Sequence, residues 1–166
     1  MTVPTMAFHL RAVRPTELRD DVRSLERLFR DDRDTVRGRV RRHREEILDR
    51  RYLDHELLYA GSPPYPAEDG PRADVILGGR PVFHSGPRPP FLLLTAAEAE
   101  RVAGFLGTAD FAALWHLARA DLLPRYGGAG AEPRTRGTFA AAHRDLRTFY
   151  ATAAEHGDAV VKWLVL

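Results

Sequence analysis

The sequence contains no cysteine, no asparagine and no glutamine, and Lys162 is its only lysine. The absence of cysteine excludes a disulfide framework, a thiolate zinc site and a cysteine nucleophile. Arginine carries nearly all of the positive charge and stays protonated at high pH, which is why a formal net charge of +2 accompanies a pI of about 9.3. Abundant arginine, alanine and proline beside so little lysine indicate GC-rich coding, so we expect a bacterial source.

Long apolar runs are also missing. No segment approaches the roughly 20 apolar residues that span a bilayer, and the N-terminal sequence MTVPTMAFHLRAVRP lacks the basic head and apolar stretch of a secretory signal. We therefore expect a cytoplasmic protein with no membrane association. The 166 residues, 44% hydrophobic and 29% charged, fit one ordinary globular domain over residues 1–166.

Apolar spacing in the first third of the chain predicts one strand followed by helices. Residues 6–13 are apolar and partly alternating, as in a strand. Pro15 then opens an amphipathic helix, whose apolar stripe is Leu18, Val22, Leu25 and Phe29. The same spacing predicts a second helix over residues 34–51 and a shorter one over 53–59 that ends at Gly61.

The rest of the chain alternates between turn signals and regular patterns. Proline and glycine predict a loop over residues 61–72, and Thr95 with Glu98 predicts a capping box at a helix start. The remaining predictions are strands over 73–77, 91–94 and 159–166, a helix beginning near Asp110, a loop over 126–137, and a last helix over 138–156. Together they predict an α+β fold: a single domain with a small mixed or antiparallel sheet packed with about five helices.

Motifs for common catalytic and cofactor sites are absent. Gly78-Gly79 follows a predicted strand, but no glycine-rich fingerprint continues into a helix, and the glycines of residues 127–130 lack the lysine of a phosphate loop. No serine lies in Gly-x-Ser-x-Gly, and no histidine pair has the spacing of a zinc protease. We therefore predict no cofactor and no metal.

A few polar residues and glycines are candidates for a ligand site. Asp54 and His55 form a dense polar pair on a predicted helix, His84 lies in a Pro/Gly-rich loop where functional groups are common, and aromatic residues such as Tyr150 can line a pocket. The predicted ligand-binding residues are Asp54, His55, Gly78, Gly79, His84 and Tyr150. The structural alternative is that the glycines form plain turns, His84 is solvated and Tyr150 belongs to the core.

A run of arginines is the one candidate nucleic-acid site, formed by Arg37, Arg39, Arg41, Arg42 and Arg44. Such a run could bind phosphates. Acidic residues follow it at once, however, and mixed charge along a helix is typical of a solvated, salt-bridged face. No aromatic residues interleave the arginines to stack on bases. We therefore regard nucleic-acid binding as the weaker interpretation.

Three blocks of sequence resemble the YfbM-like family of small bacterial proteins, a domain family of unknown function. The first joins residues 48–52 to 57–61, the second joins Leu77-Gly78-Gly79 to residues 91–95, and the third runs from Leu146 to residues 157–160. The sequence departs from the family where Tyr52 and Glu56 stand in place of a tryptophan and a histidine. The resemblance implies an α+β fold and no established activity.

These observations favour a non-enzymatic binding module for a protein partner or a small ligand. The first alternative is a hydrolase or transferase whose site is assembled from distant residues, with Asp54, His55, His84 and Tyr150 as the candidates. The second is a weak nucleic-acid binder that uses the arginine run.

Overall fold

The computed structural model describes residues 6–61 and 69–165, which build one sheet with helices on both faces. The strands are β1 (Ala7–Val13), β2 (Glu45–Leu48), β3 (Arg80–Val82), β4 (Phe91–Leu94) and β5 (Ala159–Val165). Their order is β2-β1-β5-β4-β3, and every neighbouring pair is antiparallel. The first and last strands of the chain therefore lie side by side within an open sheet, and the predicted small antiparallel sheet is confirmed.

Seven α-helices occur in the described part of the chain. They are α1 (Val22–Arg27), α2 (Arg33–Arg41), α3 (Tyr52–Ala60), α4 (Pro71–Asp74), α5 (Ala96–Thr108), α6 (Phe111–Leu122) and α7 (Glu132–His156). Two short 3₁₀ turns, Leu123–Tyr126 and Ala129–Ala131, connect α6 to α7. The predicted α+β class is confirmed. None of these helices is long and apolar enough to cross a membrane.

The sheet has a hydrophobic core on each face, because successive side chains of a strand point to opposite faces. The two cores differ in size. On one face, Leu10 and Val160 belong to the main core, which α3 to α7 cover. On the other face, Val161 and Trp163 belong to a smaller core formed with the segment that carries α1. The two faces therefore offer separate places for a functional site.

Local sequence signals set most of the helix ends. Thr95 and Glu98 form the predicted capping box at the start of α5, and Asp110 caps α6. At the C-terminal end of α7, Gly157 adopts the left-handed conformation at φ 67° and ψ 31°. These signals confirm the predicted start of α5 and the predicted end of α7.

The predicted helix over residues 34–51 is wrong in its second half. Helix α2 ends at Arg41, and the chain turns at His43, whose φ of 58° is the only positive φ of a non-glycine residue in the described segments. The Arg44 N–H donates to the Arg39 carbonyl at 2.8 Å, and the His43 N–H donates to the Val40 carbonyl at 3.0 Å. This bond pair is a Schellman termination, and it frees Glu45–Leu48 to form strand β2.

The predicted strand over residues 73–77 is also wrong. Pro71 is the first residue of the short helix α4, and residues 75–77 continue as a turn. Val75 and Ile76 are fully buried, as they would be in a strand. Burial explains the apolar pattern of these residues. The backbone carbonyl groups of this turn accept hydrogen bonds from the side chains of Tyr150 and Lys162 and not from a neighbouring strand.

Two helix starts differ from the prediction as well. Residues 15–17 form a turn, and α1 begins only at Val22 with Asp21 as its N-cap. Helix α7 begins at Glu132, with Pro133 in its first turn, although the sequence predicted a loop to residue 137. Residues 62–68 of the predicted loop, and residue 166 of the last strand, lie outside the described residues.

His43 gives a direct test of the α2 termination. The left-handed conformation costs a residue with a Cβ about 1 kcal/mol, and the His43 side chain is exposed and makes no hydrogen bond to any described residue. We expect His43→Gly to raise the free energy of unfolding by about 1 kcal/mol in urea denaturation. His43→Ala keeps the Cβ and serves as the control; equal stabilisation by both variants would contradict this account of the turn.

Candidate functional site

The six predicted site residues fall in three separate places. Asp54 and His55 lie in the first turn of α3, whereas Gly78, Gly79 and Tyr150 lie close to the turn over residues 74–79 on the main-core face. His84 packs on the opposite face of the sheet. The four candidates for an assembled catalytic site, Asp54, His55, His84 and Tyr150, therefore do not share one site.

The turn over residues 74–78 is held by two buried side chains from distant elements. Lys162 of β5 is fully buried, and its Nζ donates to the carbonyl oxygen of Gly78 at 2.8 Å and to that of Asp74. The Tyr150 hydroxyl of α7 donates to the Val75 carbonyl at 2.6 Å. These bonds satisfy carbonyl groups that would otherwise be buried without a partner.

Lys162 has the electrostatics of a reactive amine and the contacts of a structural one. Burial lowers the pKa of Lys162 to about 7, although the carboxylates of Asp74, Glu56 and Glu98 oppose the shift. Enzymes use such lysines as nucleophiles or bases. Here the ammonium is bonded to backbone carbonyl groups and has no exposed surface. We therefore interpret Lys162 as an anchor of the fold.

Steric limits account for the glycine pair. A Cβ on Gly78 would lie 2.5 Å from the carbonyl oxygen of Ala73. Gly79 has a φ of 121°, and a Cβ there would lie 2.9 Å from the Leu93 carbonyl oxygen. Both residues are thus needed for the turn to pack against its neighbours. A role for Gly78 and Gly79 in ligand binding stays a prediction.

The cluster around Asp54 joins α3 to the 3₁₀ turn that follows α6. The Asp54 carboxylate accepts hydrogen bonds from the Arg125 guanidinium and the Tyr126 hydroxyl. Burial and the Asp54 carboxylate raise the pKa of Tyr126, so this hydroxyl remains a proton donor. The arrangement fixes the position of the Tyr126 ring.

His55 lies beside this cluster in an apolar environment. Its ring centroid is 4.6 Å from that of Phe139, and its Nδ1 is buried with no hydrogen-bond partner among the described residues. Burial lowers the pKa of His55 to about 4. The imidazole is therefore neutral at physiological pH and adds no charge behind the Asp54 cluster.

A cavity of about 210 Å³ opens next to the Asp54 cluster. Its lining residues are Arg51, Tyr126, Ala131, Arg134, Thr135, Thr138 and Phe139. The Arg51 guanidinium carbon lies 5.3 Å from the centroid of the Tyr126 ring. We call this cavity the Arg51–Arg134 pocket. Sequence reasoning found Asp54 and His55 nearby but missed both arginines, because neither lies in a recognisable motif.

His84 belongs to the smaller core. Its ring centroid is 4.8 Å from that of Phe91 and 5.5 Å from that of Trp163. Its Nδ1 lies 3.5 Å from a carboxylate oxygen of Glu26, and its side chain is 5% exposed. The expected solvated loop histidine is in fact packed among aromatic rings, and a ligand-binding role for it stays a prediction.

The arginine run is divided among a helix, a turn and a strand edge. Arg39 donates to Asp31 at 2.7 Å and to Glu45 at 3.3 Å, and Arg44 pairs with Asp158. Arg37, Arg41 and Arg42 are exposed. The run is thus no continuous basic face, since two of its guanidinium groups are used within the fold.

Comparison with known proteins supports the fold and goes no further. No protein-family model and no curated protein matches the sequence. The structure is similar to the crystal structure of YfbM from Escherichia coli, a protein of unknown function, with a TM-score of 0.62 over 96% of this chain and 99% of that chain.

The chain has a YfbM-like fold. The resemblance found in the sequence is therefore confirmed for the fold, and the sequence identity of 14% shows the fold alone.

The Lys162 anchor predicts a specific pH dependence. Its pKa is about 7 in the folded chain and 10.5 when unshifted. Between these values the unfolded chain binds more protons, so this group makes stability rise with pH, by at most about 1.4 kcal/mol per pH unit, and the gain is lost as pH falls toward 7. In the Lys162→Met variant, this contribution to the rise of the free energy of unfolding with pH should be absent.

Urea denaturation of both proteins between pH 7 and 9.5 measures the effect. The difference in the free energy of unfolding between the two cancels groups that the substitution leaves alone. A pH-independent difference would mean that Lys162 titrates normally in the fold.

Proposed function

We propose that this protein is a non-enzymatic binding protein that takes a small carboxylate in the Arg51–Arg134 pocket. The observation that carries the proposal is the pairing of two guanidinium groups with a fixed aromatic wall. A planar guanidinium matches the geometry of a carboxylate, and the partly exposed ring of Tyr126, backed by Phe139, offers an apolar surface to the rest of the ligand.

The charge in the pocket favours an anion. Among the described residues, Arg134 forms no ion pair, and the nearest carboxylate to Arg51 is that of Asp49 at 3.9 Å. Glu132, at the start of α7, is bound to Arg119 at 2.6 Å and does not neutralise Arg134. The pocket therefore has more positive than negative charge, and a bound anion would supply the missing partner.

The wall of the pocket is held in place before any ligand arrives. Tyr126 is bonded to Asp54, which Arg125 also binds, and Phe139 is fully buried. A fixed wall reduces the entropy that binding must offset. The volume of about 210 Å³ lies below the roughly 300–1,000 Å³ of sites for drug-sized molecules, so we expect a carboxylate no larger than benzoate.

The chemistry of the pocket favours binding over catalysis. The hydroxyl of Thr135 donates to the Ala131 carbonyl at 3.0 Å, and that of Thr138 donates to the Arg134 carbonyl at 3.2 Å. The raised pKa of Tyr126 keeps its hydroxyl protonated. The lining residues therefore supply no activated nucleophile and no general base. This favours a protein that binds a small ligand over one that acts as a hydrolase or transferase.

Benzoate and its neutral analogue benzamide test the proposal. We expect benzoate to bind the wild-type protein and benzamide to bind far more weakly, because only the anion can pair with the guanidinium groups. Arg134→Ala should weaken benzoate binding about tenfold, as removal of a charge-assisted hydrogen bond does. Isothermal titration calorimetry measures both effects.

Arg144→Ala is the matched control, since Arg144 is an exposed arginine of the same helix outside the pocket. It should bind benzoate as the wild type does. Acetate and succinate extend the test to other sizes. The site is wrongly assigned if none of the three carboxylates binds, or if Arg134→Ala and Arg144→Ala weaken binding equally.

A further inference from the structure

A second concave site lies where β1, β2 and β5 meet, and it shares no lining residue with the Arg51–Arg134 pocket. It is a cleft of about 650 Å³. Its lining residues are Arg14, Pro15, Thr16, Arg42, Arg44, His156 and Asp158. We call it the Arg14–Arg42 cleft.

Strand pairing explains why these residues converge. Val13, at the end of β1, pairs with Ala159 at the start of β5. Arg14 comes directly after Val13 and Asp158 directly before Ala159, so the two residues lie at the same end of the strand pair. The Ala12 N–H donates to the Arg44 carbonyl at 3.1 Å, which brings the start of β2 to the same edge. The left-handed turn at His43 separates Arg42 from Arg44 and lets both line the cleft.

Arg44 is fixed in the wall of this cleft. Its guanidinium pairs with the carboxylate of Asp158, whose side chain is 1% exposed. The Arg44 Nη1 atom is buried and has no hydrogen-bond partner among the described residues. A buried donor of this kind normally finds a water molecule or a ligand atom, so the ion pair leaves the two N–H groups of the Arg44 Nη1 atom unused.

The other two arginines carry charge that the fold does not neutralise. Among the described residues, the nearest carboxylate to Arg14 is that of Glu17, at 4.0 Å between two exposed side chains. Arg42 is exposed and forms no ion pair with any described residue. With Asp158 already paired to Arg44, the cleft presents an excess of positive charge to an incoming ligand.

We propose that the Arg14–Arg42 cleft binds a phosphate-bearing small molecule of the pyrophosphate class. Three guanidinium groups suit an anion with several charges and many acceptor oxygens better than they suit a single carboxylate. The cleft is about three times as large as the Arg51–Arg134 pocket, at about 650 Å³ against about 210 Å³. This site is independent of the proposed carboxylate site.

A nucleic acid fits the cleft less well. Phe, Tyr and Trp, which stack on bases in single-strand binding sites, are absent from its lining. Arg39, which would extend the positive surface along α2, is held by Asp31 and Glu45. Arg39 therefore adds no free charge between the cleft and the exposed Arg37 and Arg41 of α2.

Titration with inorganic pyrophosphate at constant ionic strength tests this proposal. We expect the wild-type chain to bind it, and Arg14→Ala and Arg42→Ala each to weaken binding about tenfold. Arg37→Ala, an exposed arginine of α2 outside the cleft, is the matched control and should leave binding unchanged. Arg44 is left intact, because its removal would strand the buried carboxylate of Asp158.

Three results would overturn the proposal. The first is the absence of pyrophosphate binding, and the second is equal weakening of that binding by Arg37→Ala and Arg42→Ala. The third is tighter binding of duplex DNA that Arg37→Ala also weakens, which would identify an extended nucleic-acid surface. Arg134→Ala should not change pyrophosphate binding, so failure of this site is distinguishable from failure of the Arg51–Arg134 pocket. Circular dichroism of each variant confirms that it is folded.

Discussion

The hydrogen bonds of Lys162 are the constraint on which the main-core face depends. Placing the only lysine in the middle of β5, fully buried, removes a charged group from water at considerable cost. That cost is offset by hydrogen bonds to the backbone carbonyl groups of Asp74 and Gly78, which would otherwise be buried without a donor. Strand β5 and the turn over residues 74–78 therefore stabilise each other.

Local signals predicted the parts of the fold that local physics determines. Thr95 with Glu98, and Gly157 after α7, act within one helical turn, so the sequence alone identifies them. The end of α2 was missed because His43 occupies a left-handed position where glycine is usual, and histidine gives no warning of it. The turn at residues 75–77 was missed because the side chains that hold it lie far along the chain. Lys162, for example, is 88 residues from Asp74 and 84 residues from Gly78.

The candidate site was predictable only in part, for the same reason. Asp54 and His55 attract attention as neighbours, yet the groups that give Asp54 its role, Arg125 and Tyr126, lie 71 and 72 residues further on. No spacing rule connects them, since their approach depends on how α6 packs against α3. Lys162 did carry a readable signal: a single lysine at a buried register of an otherwise apolar strand indicates a polar group with a specific partner.

The near-neutral net charge conceals how the arginines are distributed. Three carboxylates are buried among the described residues, those of Glu45, Asp54 and Asp158, and each pairs with an arginine, namely Arg39, Arg125 and Arg44. Those pairs use the acids to fix side chains in place. Arginines without such partners, Arg42 and Arg134, line the two concave sites. A formal charge of +2 therefore coexists with two local excesses of positive charge. Both proposed anion sites depend on this local excess, which acts over less than a Debye length.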